Sequence, residues 1–135
     1  MSRQERFLSV VVALNGLVLL LTGLTLAVVP EWFYTHLAPF APFNRHFAGD
    51  AGIFSAALGG ILLVAARQVR ALGPVVVIGA AASLWHALNH MYDHWQISGS
   101  LSHLLDTNHA WKDLSLVLLA GLTLWTLTVS RSRKL

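Results

Sequence analysis

The sequence predicts an all-α integral membrane protein, an antiparallel four-helix bundle that forms one transmembrane domain over residues 1–135. Of these residues, 56% are hydrophobic and only 11% are charged, which is too little charge to cover a soluble domain of this size. The mean hydropathy is +0.63. Four apolar runs have the length of about 20 residues that a helix needs to cross the hydrocarbon of a bilayer.

The first predicted span, 7–29, follows a short basic segment and stops at Pro30, because proline cannot continue a helix. Asn15 lies inside this span, where a polar side chain most often helps helices to associate. The connection to the second span is rich in aromatic residues and proline, which predicts a short segment lying in the headgroup region. The residues concerned are Trp32, Phe33, Tyr34, Pro39 and Pro42.

The second predicted span, 45–67, has Asn44 as its N-cap. A small-residue face on this span predicts close packing against another helix. A basic turn at 67–70 leads to the third span, 72–94, after which residues 95–107 are polar and break the helical periodicity. The fourth span is predicted at 109–129. The small-residue face of the second span consists of Gly52, Ala56, Gly59 and Gly60.

The positive charges predict the orientation. Most of the nine Lys and Arg residues fall on one side of a four-span arrangement, which the positive-inside rule assigns to the cytoplasm. We therefore expect a multi-pass inner (plasma) membrane protein with cytoplasmic N and C termini. Orientation explains the net charge of +3, so the predicted partner is the lipid bilayer and not nucleic acid. The cytoplasmic set comprises Arg3, Arg6, Arg67, Arg70, Arg131, Arg133 and Lys134.

The histidines gather on the opposite side. His86, His90 and His94 recur at every fourth residue, so a helix places them on one face. Counting roughly 20 residues per span outward from the basic ends puts three pairs at one depth, near the outer boundary. Each pair has i, i+4 spacing: His46 with Asp50, His86 with His90, and His109 with Asp113.

Histidine and aspartate at one membrane level favour a divalent transition metal, with zinc or iron ahead of manganese. Helical bundles build such sites from side chains on facing helices. We predict His86 and His90 as the primary ligands, with His46 and His109 as further ligands or supporting groups. Asp50 and Asp113 would complete the ligand set or act as general base. The sequence leaves open whether the site holds one metal ion or two. It also leaves open that these residues form a structural His–Asp network, or that they serve in haem binding or in a proton relay.

Two functions follow from this pattern. The first is a metal-binding membrane protein. Such a protein could be a metalloenzyme that acts on a lipid or amphiphile, but the sequence does not decide whether it is an enzyme. The alternative is a non-catalytic accessory subunit of a larger membrane complex, and redox complexes are among the candidates. The partners considered are such a complex, further copies of this chain in a homo-oligomer, and a lipid-like substrate. The absence of cysteine excludes disulfides, thiolate metal sites and iron–sulfur clusters.

The layout resembles that of the small four-helix DoxX-like membrane proteins. The similar parts are the long first span, the aromatic and proline-rich loop, and a second span that begins Asp50-Ala51-Gly52 and continues through the apolar stretch 57–63. The resemblance implies a four-helix membrane fold, and some members of that group are associated with quinone-linked oxidoreductases. It assigns no site residue to this chain.

Overall fold

The computed structural model describes residues 1–39, 42–98 and 117–125. All regular secondary structure within these ranges is helical, so the predicted all-α class is confirmed for them. The helices are α1 (Arg3–Val28), α2 (Pro30–His36), α3 (Arg45–Arg67) and α4 (Gly73–Ser98), and the described residues 117–125 are also helical and are called α5.

Helix α1 begins before the predicted start at residue 7. The Ser2 hydroxyl accepts a hydrogen bond from the Glu5 backbone N–H at 3.2 Å, and the Glu5 carboxylate accepts one from the Ser2 N–H at 2.8 Å. This reciprocal capping box satisfies two donors at the helix start, so the helix begins at Arg3. Pro30 follows the end of α1 and lies in the first turn of α2, where its missing N–H is tolerated.

Helix α3 has the predicted bounds, and α4 extends beyond them. The Asn44 side chain accepts hydrogen bonds from the N–H groups of His46 and Phe47 at 3.0 and 3.1 Å, which confirms the predicted N-cap. Helix α4 continues to Ser98, so the predicted end at residue 94 and the loss of periodicity from residue 95 are wrong. The side chain of Gln96 donates to the Tyr92 hydroxyl at 2.7 Å, an i, i+4 contact that stabilises this added turn.

Helices α1 and α3 form the most extensive contact between the described elements. They run antiparallel, and glycines seven residues apart in each helix face one another. A Cβ atom on Gly16 would lie 2.8 Å from the Gly59 carbonyl oxygen, and one on Gly52 would lie 2.7 Å from the Gly23 carbonyl oxygen. Only hydrogen atoms fit at these positions, so the two backbones lie in direct contact.

The small-residue face predicted on the second span is confirmed at three of its four positions. Gly52 and Gly59 meet α1, and the backbone of Ala56 lies where a Cβ atom on Gly23 would be. Gly60 is different, because no heavy atom of the described residues lies within 4 Å of the place where its Cβ would be. Gly60 is not part of the contact with α1, because a residue next to Gly59 points about 100° away from it around the helix.

Buried apolar residues of α1, α3 and α4 form one core beside this contact. Leu62 is fully buried, and its Cδ2 atom would lie 2.5 Å from a Cβ atom on Gly79 of α4. A short turn over 68–72 joins α3 to α4, so these two helices also run antiparallel. The core residues are Leu8, Val12, Leu19, Leu62, Ala65, Ala66, Val69 and Val76.

Two described helices, α1 and α3, are long and apolar enough to cross a membrane, judged by length and composition. Helix α4 is not among them, because the second half of its sequence carries His86, Asn89 and His90. Large apolar side chains are exposed along both candidate helices, including Leu21 of α1 and Phe54 of α3. A lipid surrounding would cover such side chains.

Asn15 is buried in α1 with 1% of its surface exposed. Burial agrees with the predicted packing role. However, neither its side-chain oxygen nor its nitrogen has a hydrogen-bond partner in the described part of the chain. A buried amide without partners is destabilising, because it loses its hydrogen bonds to water on folding and gains none in return.

Replacement of Asn15 by leucine, which has the same number of side-chain heavy atoms, is therefore expected to stabilise the protein by about 1–3 kcal/mol. The readout is the midpoint of thermal unfolding in detergent, compared with that of Leu14→Asn as the reverse change at an exposed neighbour. A lower midpoint for Asn15→Leu would mean that a polar group bonds to the amide.

Candidate functional site

The first of the predicted pairs lies at the beginning of α3. The cap made by Asn44 starts the helix, and His46 and Asp50 follow on successive turns of one face. The His46 Nε2 atom lies 3.5 Å from the Asp50 Oδ2 atom, and the two side chains are 87% and 53% exposed. This pair is therefore open to its surroundings and can turn toward another ligand.

The second pair lies in the second half of α4. The rings of His86 and His90 are 4.6 Å apart between centroids and nearly perpendicular, at 78°. His90 continues the buried stripe of α4, which contains Ser83 and Ala87, and is half-buried. His86 is exposed. The two imidazoles are thus adjacent on one helix, as the i, i+4 spacing predicts.

Both pairs lie at the same end of the antiparallel helices α3 and α4. Asp50 is seventeen residues from Arg67, and His90 is seventeen residues from Gly73, on the two sides of the connecting turn. At 1.5 Å per residue each is about 25 Å along its helix from that turn. The two pairs are therefore at similar distances from the turn, measured along their own helices.

The two pairs do not combine into one metal site by themselves. Within the described ranges, no three His, Cys, Asp or Glu side chains lie close enough to hold a metal ion. The third predicted pair, His109 and Asp113, lies outside these ranges, and so does the start of the predicted fourth span. His94 is part of α4, but its side chain also lies outside the described structure.

Helix α2 lies at the same end as the two pairs, because it follows the last turn of α1. The Arg45 guanidinium and the Glu31 carboxylate form an ion pair at 3.0 Å, which ties α2 to the start of α3. His36 is engaged within its own helix. Its Nδ1 atom lies 2.7 Å from the Thr35 hydroxyl and 2.9 Å from the Trp32 carbonyl oxygen.

The arrangement is suited to chelation from one helix. Two imidazoles on successive turns supply two neutral nitrogen ligands, and a tetrahedral zinc site needs four ligands in all. His46 and Asp50 offer one nitrogen and one carboxylate at the same end of α3, but in the described structure neither lies close enough to the His86–His90 pair to complete a metal site. Asp93 is held by Asn89, whose amide donates to the carboxylate at 3.0 Å, so it is already occupied in a hydrogen bond.

Two contacts at the opposite end were not anticipated from the sequence. Arg70 forms an ion pair with Glu5, and the Ser9 hydroxyl donates to the Ala66 carbonyl oxygen at 2.5 Å. The spacing of Ser2 and Glu5 is a recognisable capping-box signal, so the early start of α1 could have been found. The partners of Glu5 and Ser9 across the bundle could not, because they depend on how the helices pack.

Comparison with known proteins gives no match: no family model, no curated protein and no solved structure is significantly similar to this chain.

Proposed function

We propose that this chain is a multi-pass inner-membrane protein that binds a divalent transition metal, zinc or iron first and manganese next, at the outer end of its helices. The observation that carries the proposal is the adjacency of the His86 and His90 rings on α4. The His46–Asp50 pair at the same end of α3 supports it, because it offers further ligands at the same height.

In this proposal His86 and His90 are the primary ligands from α4. His46 and Asp50 of α3, together with His109 and Asp113 of the predicted fourth span, supply the remaining ligands and the groups that orient them. Asp50 and Asp113 would also serve as general base if the protein is a metalloenzyme that acts on a lipid or amphiphile. A dinuclear centre would use all six side chains.

The proposed membrane arrangement has four spans, with both termini in the cytoplasm and a short interfacial segment between the first two spans. Support comes from the apolar character of α1 and α3 and from the position of α2 between them. The distribution of Lys and Arg favours this orientation. The resemblance in layout to DoxX-like proteins implies the same four-helix plan.

Elemental analysis of the purified protein tests the metal proposal. We expect one or two equivalents of zinc or iron in the wild type, and a fall of about tenfold or more in His86→Ala/His90→Ala. His36→Ala is the matched control, because His36 lies at the same end but bonds within α2. Equally negligible metal in the wild type and the double variant would contradict the proposal.

A second candidate function is an accessory subunit of a larger membrane complex or a homo-oligomer. It is favoured by α3, which carries two strongly exposed aromatic residues, Phe47 and Phe54, seven residues apart on one face of the helix. Large apolar side chains exposed together on one helix face suit packing against another transmembrane helix. Metal-free protein that co-purifies with a stoichiometric partner would support this candidate over the first.

A further inference from the structure

The end of the bundle opposite the histidines brings together two segments that are distant in the sequence. The Ser9 hydroxyl donates to the Ala66 carbonyl oxygen at 2.5 Å, and Glu5 forms an ion pair with Arg70. These contacts attach the start of α1 to the turn between α3 and α4. The arginines of both segments therefore lie at one end of the same helical unit.

This arginine patch consists of Arg3, Arg6, Arg67 and Arg70, and all four are exposed. Glu5 is the acidic residue of these two segments, and the Ser2 N–H and Arg70 already engage its carboxylate. No carboxylate elsewhere in the described structure forms an ion pair with the other three arginines. The patch thus carries a surplus of positive charge that attracts anions.

The patch also adjoins an apolar surface. Phe7, Val10 and Leu14 follow Arg3 and Arg6 along α1, and all three are large apolar side chains exposed on the helix. A phosphate ion would contact the guanidinium groups only. A phospholipid would contact the guanidinium groups with its phosphate and this apolar strip with an acyl chain.

We propose that the arginine patch binds the phosphate groups of anionic phospholipids. The proposal rests on the membrane location given under the proposed function, and it is independent of the metal site. Guanidinium groups bind phosphate oxygens through paired hydrogen bonds. Basic residues close to a membrane surface each contribute about 1 kcal/mol to the attraction of anionic lipid, which is roughly a fivefold change in binding.

Native mass spectrometry of the detergent-solubilised full chain tests this proposal, with equimolar phosphatidylglycerol and phosphatidylcholine as the probes. We expect the wild type to retain phosphatidylglycerol preferentially. Arg67→Gln should lower this preference about fivefold. Arg45→Gln is the matched control, because it removes the same charge from the other end of α3 and should leave the preference unchanged.

Arg3→Gln/Arg6→Gln provides a second variant, since neither arginine takes part in the ion pair with Glu5. Its unfolding midpoint should match that of the wild type while its lipid preference falls further than that of Arg67→Gln. Equal retention of the two lipids by the wild type would overturn the proposal. Loss of phosphatidylglycerol on addition of inorganic phosphate would also overturn it, because the patch would then be a site for the free anion.

Discussion

Gly59→Val is expected to separate α1 from α3, whereas Gly60→Val, one residue further along the same helix, is expected to leave the fold intact. A Cβ atom on Gly59 would overlap the Leu20 backbone nitrogen and lie 2.6 Å from the Gly16 carbonyl oxygen. These are backbone atoms, so only a movement of one helix away from the other can make room. We expect a loss of about 3 kcal/mol or more in the free energy of unfolding.

At Gly60 the same substitution meets no heavy atom of residues 1–39, 42–98 and 117–125 within 4 Å of its Cβ position. Valine and glycine differ by less than about 1 kcal/mol in helix propensity, so the unfolding midpoint should change little. Thermal unfolding in detergent, followed by far-ultraviolet circular dichroism and by size-exclusion chromatography, measures both variants. Similar behaviour of the two would show that close contact between α1 and α3 does not stabilise the protein.

Leu62→Ala is expected to destabilise the protein by about 2–5 kcal/mol, because it empties the core between α1, α3 and α4. Leu62 is fully buried, and its Cδ2 atom fills the space beside Gly79. In a membrane the cost comes mainly from lost packing contacts and the remaining cavity, since lipid is as apolar as the side chain.

Ile61→Ala is the control for this second experiment, because Ile61 neighbours Leu62 on α3 and is 51% exposed. Its side chain makes fewer packing contacts, so we expect a loss below about 1 kcal/mol. A combined variant, Leu62→Ala/Gly79→Ala, adds a methyl group on α4 next to the new cavity and should recover part of the stability. An Ile61→Ala effect as large as that of Leu62→Ala would contradict the position of the core on the Leu62 face of α3.

The helix boundaries could be predicted wherever a local signal marks them. Asn44 caps α3 through its own side chain, and Pro30 separates α1 from α2, as the sequence indicates. The predicted start of α1 is too late, although the Ser2 and Glu5 spacing signals the earlier one. The predicted end of α4 is too early, because Trp95 and the polar residues after it interrupt the apolar periodicity while the helix itself continues to Ser98.

The candidate site could be predicted within each helix but not between helices. The i, i+4 spacing is enough to bring His86 next to His90, and His46 next to Asp50, because helix geometry is local. The distance from one pair to the other depends on the rotation and crossing of α3 and α4, which the residue spacing leaves undetermined. The contribution of His109 and Asp113, which lie outside the described ranges, remains a prediction.

The amino-acid sequence by itself determined the helical class, the capped start of α3 and the two side-chain pairs, because these depend on neighbours within a few residues along the chain. Only the tertiary structure decided which glycines lie between α1 and α3, that the amide of Asn15 is buried, and that Glu5 pairs with Arg70. The physical reason is that residues far apart in sequence, such as Gly16 and Gly59, become neighbours only when close packing brings two helix faces together.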